Sequence, residues 1–158
     1  MAARPSSLVQ ELASLLPTTT ASAAETQRLG AHLASVLPPG AVLALYGDLG
    51  SGKTQLVKGL AEGLGLSPSA VRSPTYTILH TYDGGTRPLY HFDAYRVQTP
   101  DEFVELGFDE YVHDEEGITC LEWADRVESL LPEDTIRLRL SHDGRHARRI
   151  VLVSPDPE

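Results

Sequence analysis

The apolar residues of this chain fall into short blocks whose spacing alternates between a strand-like and a helix-like period. Residues 41–46 (AVLALY) form a continuous apolar run, which is typical of a strand buried on both faces, as in the middle of a parallel sheet. After a glycine-rich turn, apolar residues recur every three or four positions, which predicts a helix over about 52–64 that ends at Gly65. A strand, a glycine loop and a helix therefore follow one another directly.

The residues before this strand predict one clear helix and one weaker one. Ser22 and Glu25 have the spacing of a capping box, and the leucine repeat that follows predicts a helix over about 23–37. Residues 7–16 have the pattern of a short amphipathic helix, but the Thr/Ser/Ala-rich stretch 18–24 is typical of a linker.

These patterns set the expected domain boundaries. We predict that residues 1–20 are an N-terminal extension and that residues 21–158 form the domain.

The second half of the chain is rich in strand patterns. Residues 75–82 and 87–93 are rich in Tyr, Thr and Ile, and an Asp-Gly-Gly turn between them predicts a hairpin. A short helix should then begin near Thr99 and end at Gly107.

Three more strands follow this short helix. In one of them, Ile and Leu alternate with Arg137 and Arg139, which predicts one buried and one solvent-facing side. The predicted strands are 118–121, 135–140 and about 148–153.

Composition limits the protein to one ordinary domain. With 158 residues, 41% of them hydrophobic, the chain is long enough for a single core. No apolar run approaches the roughly 20 residues that cross a bilayer, and the N-terminus lacks the apolar segment of a signal peptide. The single cysteine, Cys120, excludes an internal disulfide. We therefore expect a soluble, cytoplasmic protein that does not contact a membrane.

The charge is acidic and uneven. A formal net charge of −9 argues against a large surface that neutralises phosphates, so the chain itself is not expected to bind RNA tightly. Residues 101–116 carry eight acidic and no basic side chains, whereas residues 137–149 carry five arginines and one aspartate. Both segments can be solvated faces, and the acidic segment is the candidate partner surface, with Glu102 and Glu105 as the residues to test.

The glycine loop carries the strongest chemical signal in the sequence. Gly47–Thr54 (GDLGSGKT) matches the Walker A pattern, in which successive backbone N–H groups and the start of a helix bind phosphate oxygens. Lys53 can reach the β and γ phosphates, and the Thr54 hydroxyl can ligate Mg²⁺. Common GTPases read guanine with Asn-Lys-x-Asp, and this chain has no asparagine, so ATP is the predicted nucleotide.

Two acidic residues end apolar runs and can complete such a site. Asp93 and Glu122 each follow a predicted buried strand, where one acid can hold Mg²⁺ and the other can position or deprotonate the attacking water. Spacing alone does not assign the two roles. Thr75, in Ser73-Pro74-Thr75, could sense the γ-phosphate from a switch-like loop, or the tripeptide could be a plain turn. Arg96 could stabilise transition-state charge or form a surface ion pair.

Four motifs together resemble one family. Gly47–Thr54 (GDLGSGKT), Ser73–Thr77 (SPTYT), His91–Arg96 (HFDAYR) and Leu121–Trp123 (LEW) have the order and spacing of the bacterial TsaE (YjeE-type) ATPases, the small ATPase subunits of tRNA threonylcarbamoyladenosine biosynthesis. The resemblance covers about residues 22–153. It implies a single-domain P-loop NTPase fold of the α/β class, with a central, mostly parallel sheet flanked by helices and extended by antiparallel hairpins.

The resemblance also implies a function and partners. These are slow hydrolysis of Mg-ATP, stimulated by the TsaD and TsaB proteins that modify adenosine 37 of tRNA, so that tRNA is an indirect partner. The resemblance says little about which residues contact adenine, for which the region around Arg137–Arg149 is a candidate.

The resemblance implies a role for each site residue. Lys53, Asp93 and Glu122 are the expected catalytic residues, and Thr54 and Glu122 the expected Mg²⁺ ligands. The switch-like or partner-sensing residues are Ser73, Pro74, Thr75 and Trp123. The expected nucleotide-binding residues are Gly47, Asp48, Leu49, Gly50, Ser51, Gly52, Lys53, Thr54 and Gln55.

Two other functions remain open from the sequence. A small-molecule P-loop kinase would need an acceptor pocket and a lid over the phosphates. A binding switch would use ATP only to order an interface and would not require turnover.

Overall fold

Within residues 6–153, seven strands form one sheet in the order β1-β7-β6-β2-β5-β4-β3. The structure is a computed structural model and describes residues 6–153. The strands are β1 Thr18–Thr20, β2 Val42–Tyr46, β3 Leu79–Tyr82, β4 Leu89–Asp93, β5 Ile118–Glu122, β6 Ile136–His142 and β7 Arg148–Leu152. The helices are α1 Ser6–Leu15, α2 Ala23–Val36, α3 Lys53–Gly63, α4 Asp101–Leu106 and α5 Phe108–Val112, with 3₁₀ segments Pro68–Ala70 and Ala124–Leu130.

The centre of the sheet is parallel and its edges are antiparallel. Strand β2 pairs in parallel with both β5 and β6, and β5 pairs in parallel with β4. The pairs β3–β4, β6–β7 and β1–β7 are antiparallel. This confirms the predicted mostly parallel α/β sheet with added hairpins. Because parallel strands end at the same edge, β2, β4 and β5 deliver their last residues to one place.

Both faces of the sheet are covered by helices and buried side chains. One face packs on α1, α2 and α3, and the other packs on α4, α5 and the 3₁₀ segment 124–130. All five residues of β2 are buried, as predicted for a central strand. Cys120, the only cysteine of the chain, is fully buried in β5, and this burial raises the pKa of its thiol.

Helices α2 and α3 cross at a close contact made by glycines. A Cβ atom added at Gly59 would lie 1.9 Å from the Gln27 carbonyl oxygen, and one at Gly30 would lie 2.3 Å from the Leu56 oxygen. No larger residue fits at these two positions without separating the helices. The backbones of α2 and α3 therefore touch directly.

The predicted helices and strands are confirmed, with differences at their ends. Ser22 caps α2 as predicted, because the Glu25 N–H donates to Ser22 Oγ at 3.2 Å. The Glu25 carboxylate accepts from the Ala21 N–H at 2.8 Å, one residue before the position that a capping box uses. The first hairpin strand is shorter than predicted, since residues 75–78 turn and Ile78 has a positive φ of 72°. Helix α5 was not predicted.

Residues 6–20, assigned above to an N-terminal extension, pack against the rest of the fold. Helix α1 buries Leu8, Leu12 and Leu16 in the core, and the stretch taken for a linker supplies β1. Threonine is β-branched and fits an edge strand, and residues 18–20 pair with residues 148–150 of β7. Residues 18–20 form a strand because they pair with β7, and the sequence pattern does not reveal this pairing. Residues 1–5 and 154–158 lie outside the described residues.

The alternation in β6 is confirmed with one exception. Ile136, Leu138 and Leu140 are buried and Arg139 is exposed, but Arg137 is only 6% exposed. Its guanidinium donates to Glu128 at 2.9 Å from Nε and lies 2.8 Å from the same carboxylate oxygen through Nη2. The ion pair between Arg137 and Glu128 of the 3₁₀ segment therefore buries part of the side of β6 that was predicted to face solvent.

No helix within residues 6–153 is both long enough and apolar enough to span a membrane.

Candidate functional site

The glycine loop lies between β2 and α3 and depends on glycine for its path. Gly47, Gly50 and Gly52 have φ values of 148°, 77° and 104°, which side chains other than glycine rarely adopt. A Cβ atom at Gly47 would also lie 2.3 Å from the Leu140 carbonyl oxygen. The loop therefore passes closer to β6 than any residue with a side chain would allow.

Lys53 begins α3 and turns its ammonium group back into the loop. The side chain is 4% exposed, and Nζ donates to the carbonyl oxygens of Gly47 and, at 2.9 Å, Asp48. Burial lowers the pKa of Lys53, while the nearby carboxylates of Glu122 and Asp93 act in the opposite direction. The loop thus holds a buried amine beside two buried acids.

Glu122 ends β5 and joins the loop helix to the sheet. The Thr54 hydroxyl lies 3.1 Å from each carboxylate oxygen of Glu122. On the other side, His91 Nε2 lies 2.6 Å from Glu122 Oε2, and both side chains are almost fully buried. Because the carboxylate is an acceptor, His91 Nε2–H is the donor, and His91 Nδ1 has no partner among the described residues.

Asp93 ends β4 directly opposite Glu122 in the parallel register. Its Oδ2 accepts from the Ser73 hydroxyl at 2.6 Å and the Thr75 hydroxyl at 3.0 Å, and its Oδ1 accepts from the Tyr95 N–H at 2.8 Å. The loop between α3 and β3 is therefore attached to the sheet through this buried carboxylate. Pro74 lies buried between the two hydroxyl residues.

Trp123 follows Glu122 and forms one wall of the site. Its backbone has a positive φ of 59°, which is unusual for a residue other than glycine. The indole ring packs on Tyr95, with ring centroids 4.9 Å apart, and Lys53 Nζ lies 4.1 Å from its centroid. Trp123 therefore contacts both the glycine loop and the segment after β4.

These groups open into one pocket of about 670 Å³. Most of the predicted site residues line it, but Gly47, Asp48, Ser51 and Pro74 do not. The predicted residues in the lining are Leu49, Gly50, Gly52, Lys53, Thr54, Gln55, Ser73, Thr75, Asp93, Glu122 and Trp123. Asp48 and Leu49 are exposed, and Ser51 is fully buried.

Two residues that contact the site, His91 and Gln27, have no role in the sequence interpretation. His91 lies two residues before Asp93, so strand alternation could have placed it on the same face as both acids. Gln27 on α2 accepts from the Gln55 amide at 2.7 Å, a contact that only the fold reveals. Arg96 lies outside the pocket lining with its guanidinium 4.7 Å from the Tyr76 ring centroid, and it has no ion pair among the described residues.

The donor set suits a hard cation that shares its coordination with a ligand. Thr54 and Glu122 offer one hydroxyl and one carboxylate, and Mg²⁺ is usually bound by one or two such groups together with phosphates and water. Within the described residues, no group of three or more His, Cys, Asp or Glu could hold a metal alone.

Comparison with known proteins identifies the family. The family model described as "Threonylcarbamoyl adenosine biosynthesis protein TsaE" matches residues 20–150. The TsaE protein of Bacillus subtilis is 42% identical over 135 residues, which are 85% of this chain and 83% of that protein. The Treponema pallidum TsaE protein is 43% identical over 78% of this chain and 90% of that protein.

A solved structure is similar across the same region. The crystal structure of Bacillus YdiB superimposes with a TM-score of 0.74 at 37% identity, covering 89% of this chain and 86% of that one. Together with the Walker A loop and the parallel sheet behind it, these matches show that the chain is a P-loop NTPase-like protein that belongs to the TsaE family.

Proposed function

We propose that this protein binds Mg-ATP in the glycine-loop pocket and hydrolyses it to support threonylcarbamoyl modification of adenosine in tRNA. The observation that carries the proposal is the convergence of Lys53, Glu122 and Asp93 on one pocket beside the Walker A loop. The names of the relatives supply the biosynthetic context. The absence of an Asn-Lys-x-Asp guanine motif favours ATP.

The loop and the start of α3 bind the phosphates. Backbone N–H groups of Gly47–Thr54 and the positive end of α3 attract phosphate oxygens. Lys53 then exchanges the carbonyl oxygens of Gly47 and Asp48 for phosphate oxygens, which favours its charged form. The same ammonium group stabilises the charge that develops during phosphoryl transfer.

The two acids have different roles in this proposal. Thr54 and Glu122 hold Mg²⁺, since their side chains already meet at 3.1 Å. When bound, Mg²⁺ neutralises charge on the phosphate oxygens. Asp93 positions or deprotonates the attacking water, and its hydrogen bonds from Ser73 and Thr75 couple that step to the loop before β3.

The proposed partners are the TsaD and TsaB proteins, with tRNA bound by that assembly. Trp123 contacts Lys53, and Ser73 and Thr75 donate hydrogen bonds to Asp93, so both segments touch the catalytic groups. A change in the bound nucleotide can therefore alter the surface that a partner meets.

The test is reconstitution with TsaD, TsaB and tRNA, with ATP hydrolysis and tRNA modification measured on the same samples. Asp93→Asn should lower kcat by roughly 10²- to 10⁴-fold while ATP binds with similar affinity. Asp134→Asn, at an exposed acid outside both the pocket and the acidic segment 101–116, is the matched control and should leave both activities unchanged.

Three results would contradict the proposal. GTP binding without ATP binding would reassign the nucleotide. Full tRNA modification by Asp93→Asn without hydrolysis would make the protein a binding switch. A strict requirement for a small-molecule phosphate acceptor would make it a kinase.

A further inference from the structure

Asp93 is almost closed off from water in this structure. It borders the pocket, but the residue is only 1% exposed. A carboxylate has about four positions at which it can accept a hydrogen bond. Three of those on Asp93 are filled, by the Ser73 hydroxyl, the Thr75 hydroxyl and the Tyr95 N–H, and both hydroxyls bond to the same oxygen, Oδ2.

The two hydroxyls belong to residues 72–78, here called the 72–78 loop, which has few other attachments. Pro74 is the one buried residue of this loop, and Ser73, Tyr76 and Thr77 are exposed. A segment with few buried apolar contacts opens at a lower free-energy cost than the core does. The hydrogen bonds to Asp93 are therefore a large part of what holds the loop against the sheet.

A second contact joins the loop to the chain that follows β4. The guanidinium of Arg96 lies 4.7 Å from the centroid of the Tyr76 ring, within the range of a cation–π interaction. Tyr76 remains 82% exposed in spite of this contact, so another protein can reach it. Since Asp93 and Arg96 are three residues apart, the loop is attached at two points to one short segment.

These attachments conflict with the role proposed for Asp93. In the proposed hydrolysis, a water oxygen bonds to the γ-phosphorus while the bond to the ADP oxygen breaks, and Asp93 orients the water or takes its proton. Either role needs a free acceptor position on the carboxylate. Because Ser73 and Thr75 fill Oδ2, these hydroxyls must move before that oxygen can act on water.

We propose that Ser73 and Thr75 restrain Asp93 and that the Tyr76–Arg96 contact holds the loop in this position, so that fast hydrolysis requires displacement of the 72–78 loop. The restraint rests on the proposed function and adds the regulation of that site. A partner protein that displaces the loop raises the rate by exposing a carboxylate oxygen that is already in place.

The experiment measures ATP hydrolysis by the full chain alone and with the TsaD–TsaB pair. Ser73→Ala removes a hydrogen bond to Asp93 and should raise the kcat of the chain alone about 3- to 10-fold. Tyr76→Ala removes the contact with Arg96 and should raise it about two- to fivefold. The rate with the TsaD–TsaB pair should change less, so stimulation by the pair should fall in both variants.

Two control variants and a second measurement accompany these rates. Tyr76→Phe keeps the ring beside Arg96 and should behave as wild type. Thr77→Val removes an exposed hydroxyl of the same loop that has no hydrogen bond to Asp93 in this structure, and it should do the same. Hydrogen exchange of the amides of the 72–78 loop should be faster in Ser73→Ala and Tyr76→Ala than in wild type.

The outcomes separate the restraint from the proposed function. Slower or unchanged hydrolysis by Ser73→Ala, with an active wild type, overturns the restraint and leaves the proposed function standing. Faster hydrolysis without faster exchange in the 72–78 loop also overturns it. If a circular dichroism melt shows that Ser73→Ala has lost the fold, Tyr76→Ala decides by the same criteria. If wild type hydrolyses no ATP even with the TsaD–TsaB pair, the proposed function is overturned and the restraint with it.

Discussion

Glu122 accepts hydrogen bonds from two directions, from Thr54 on the loop helix and from His91 on the neighbouring strand. The sequence could place Glu122 at the end of an apolar strand beside the P-loop strand. The sequence could not assign a role to His91, because a histidine in a buried strand can make many different contacts in the core. The 2.6 Å contact to Glu122 gives His91 a specific place behind the proposed metal ligand.

At the residue scale, His91 should control how well Glu122 holds Mg²⁺. His91→Leu removes the donor that orients the carboxylate, so the Mg²⁺ concentration for half-maximal ATP binding should rise about 10- to 100-fold. His91→Gln, which can keep an N–H donor, should restore part of this affinity.

The control for this prediction is His113→Leu, at an exposed histidine of the α5 end. Equal Mg²⁺ dependence of His91→Leu and wild type would mean that Glu122 does not need the histidine.

At the scale of secondary structure elements, the glycine contact between α2 and α3 sets the helix spacing. Gly59→Ala places a methyl group 1.9 Å from the Gln27 oxygen, so the helices must separate. We expect the free energy of unfolding to fall by about 1–3 kcal/mol despite the higher helix propensity of alanine. Urea unfolding measures the change, with Ser35→Ala on the exposed side of α2 as the control.

An unchanged or higher urea midpoint for Gly59→Ala would mean that the helix pair can separate without loss of packing.

A second prediction at this scale concerns the hydrogen bond between Tyr90 on β4 and Asp114 in the turn before β5. The Tyr90 hydroxyl donates to Asp114, and this bond raises the pKa of Tyr90 to about 12 and holds the pKa of Asp114 below its usual value. A depressed carboxyl pKa stabilises the fold above the unfolded value of about 3.9, and this contribution is lost as the pH falls through the folded value.

Tyr90→Phe should therefore lower the urea midpoint at pH 7, and its difference from wild type should shrink below about pH 4. A difference that stays constant across this range would mean that packing of the ring, and not the bond to Asp114, explains the loss.

The elements differ in how far the sequence determines them. Strand β2 and helices α2 and α3 were predictable because their patterns reflect burial and capping within one segment. Strand β1 was not, because three threonines become a strand only when β7 lies beside them. In the site, Thr54 and the two acids follow from motifs, whereas the contact between Gln27 and Gln55 depends on two segments that are distant in the sequence.

At the scale of the whole molecule, acidic and basic side chains are concentrated in different segments, 101–116 and 137–149. The acidic segment 101–116 supplies α4 and α5 on one side of the sheet. Glu102 stabilises the start of α4, since its Oε2 accepts hydrogen bonds from the Gln98 N–H at 2.8 Å and the Thr99 N–H at 3.3 Å. Charge reversal at Glu102 would thus disturb the start of α4 as well as the surface.

Glu105 is therefore the better test of partner steering. Glu105→Lys should slow association with the TsaD–TsaB pair, most clearly at low salt, because charge patches act mainly on the association rate. Stopped-flow kinetics measures the rate, and Glu11→Lys on α1 makes the same charge change elsewhere. Equal association rates for Glu105→Lys and Glu11→Lys would exclude the acidic segment as the steering surface.

The burial of Cys120 has a practical consequence for all of these measurements. Its thiol lies in a central strand and stays protonated, so a thiol reagent cannot reach it until the sheet opens. A cysteine introduced on the surface would thus be labelled alone in the native protein. In the unmodified chain, the rate at which Cys120 is labelled measures the opening of the structure around β5, and comparing this rate with and without nucleotide measures how far nucleotide binding stabilises that region.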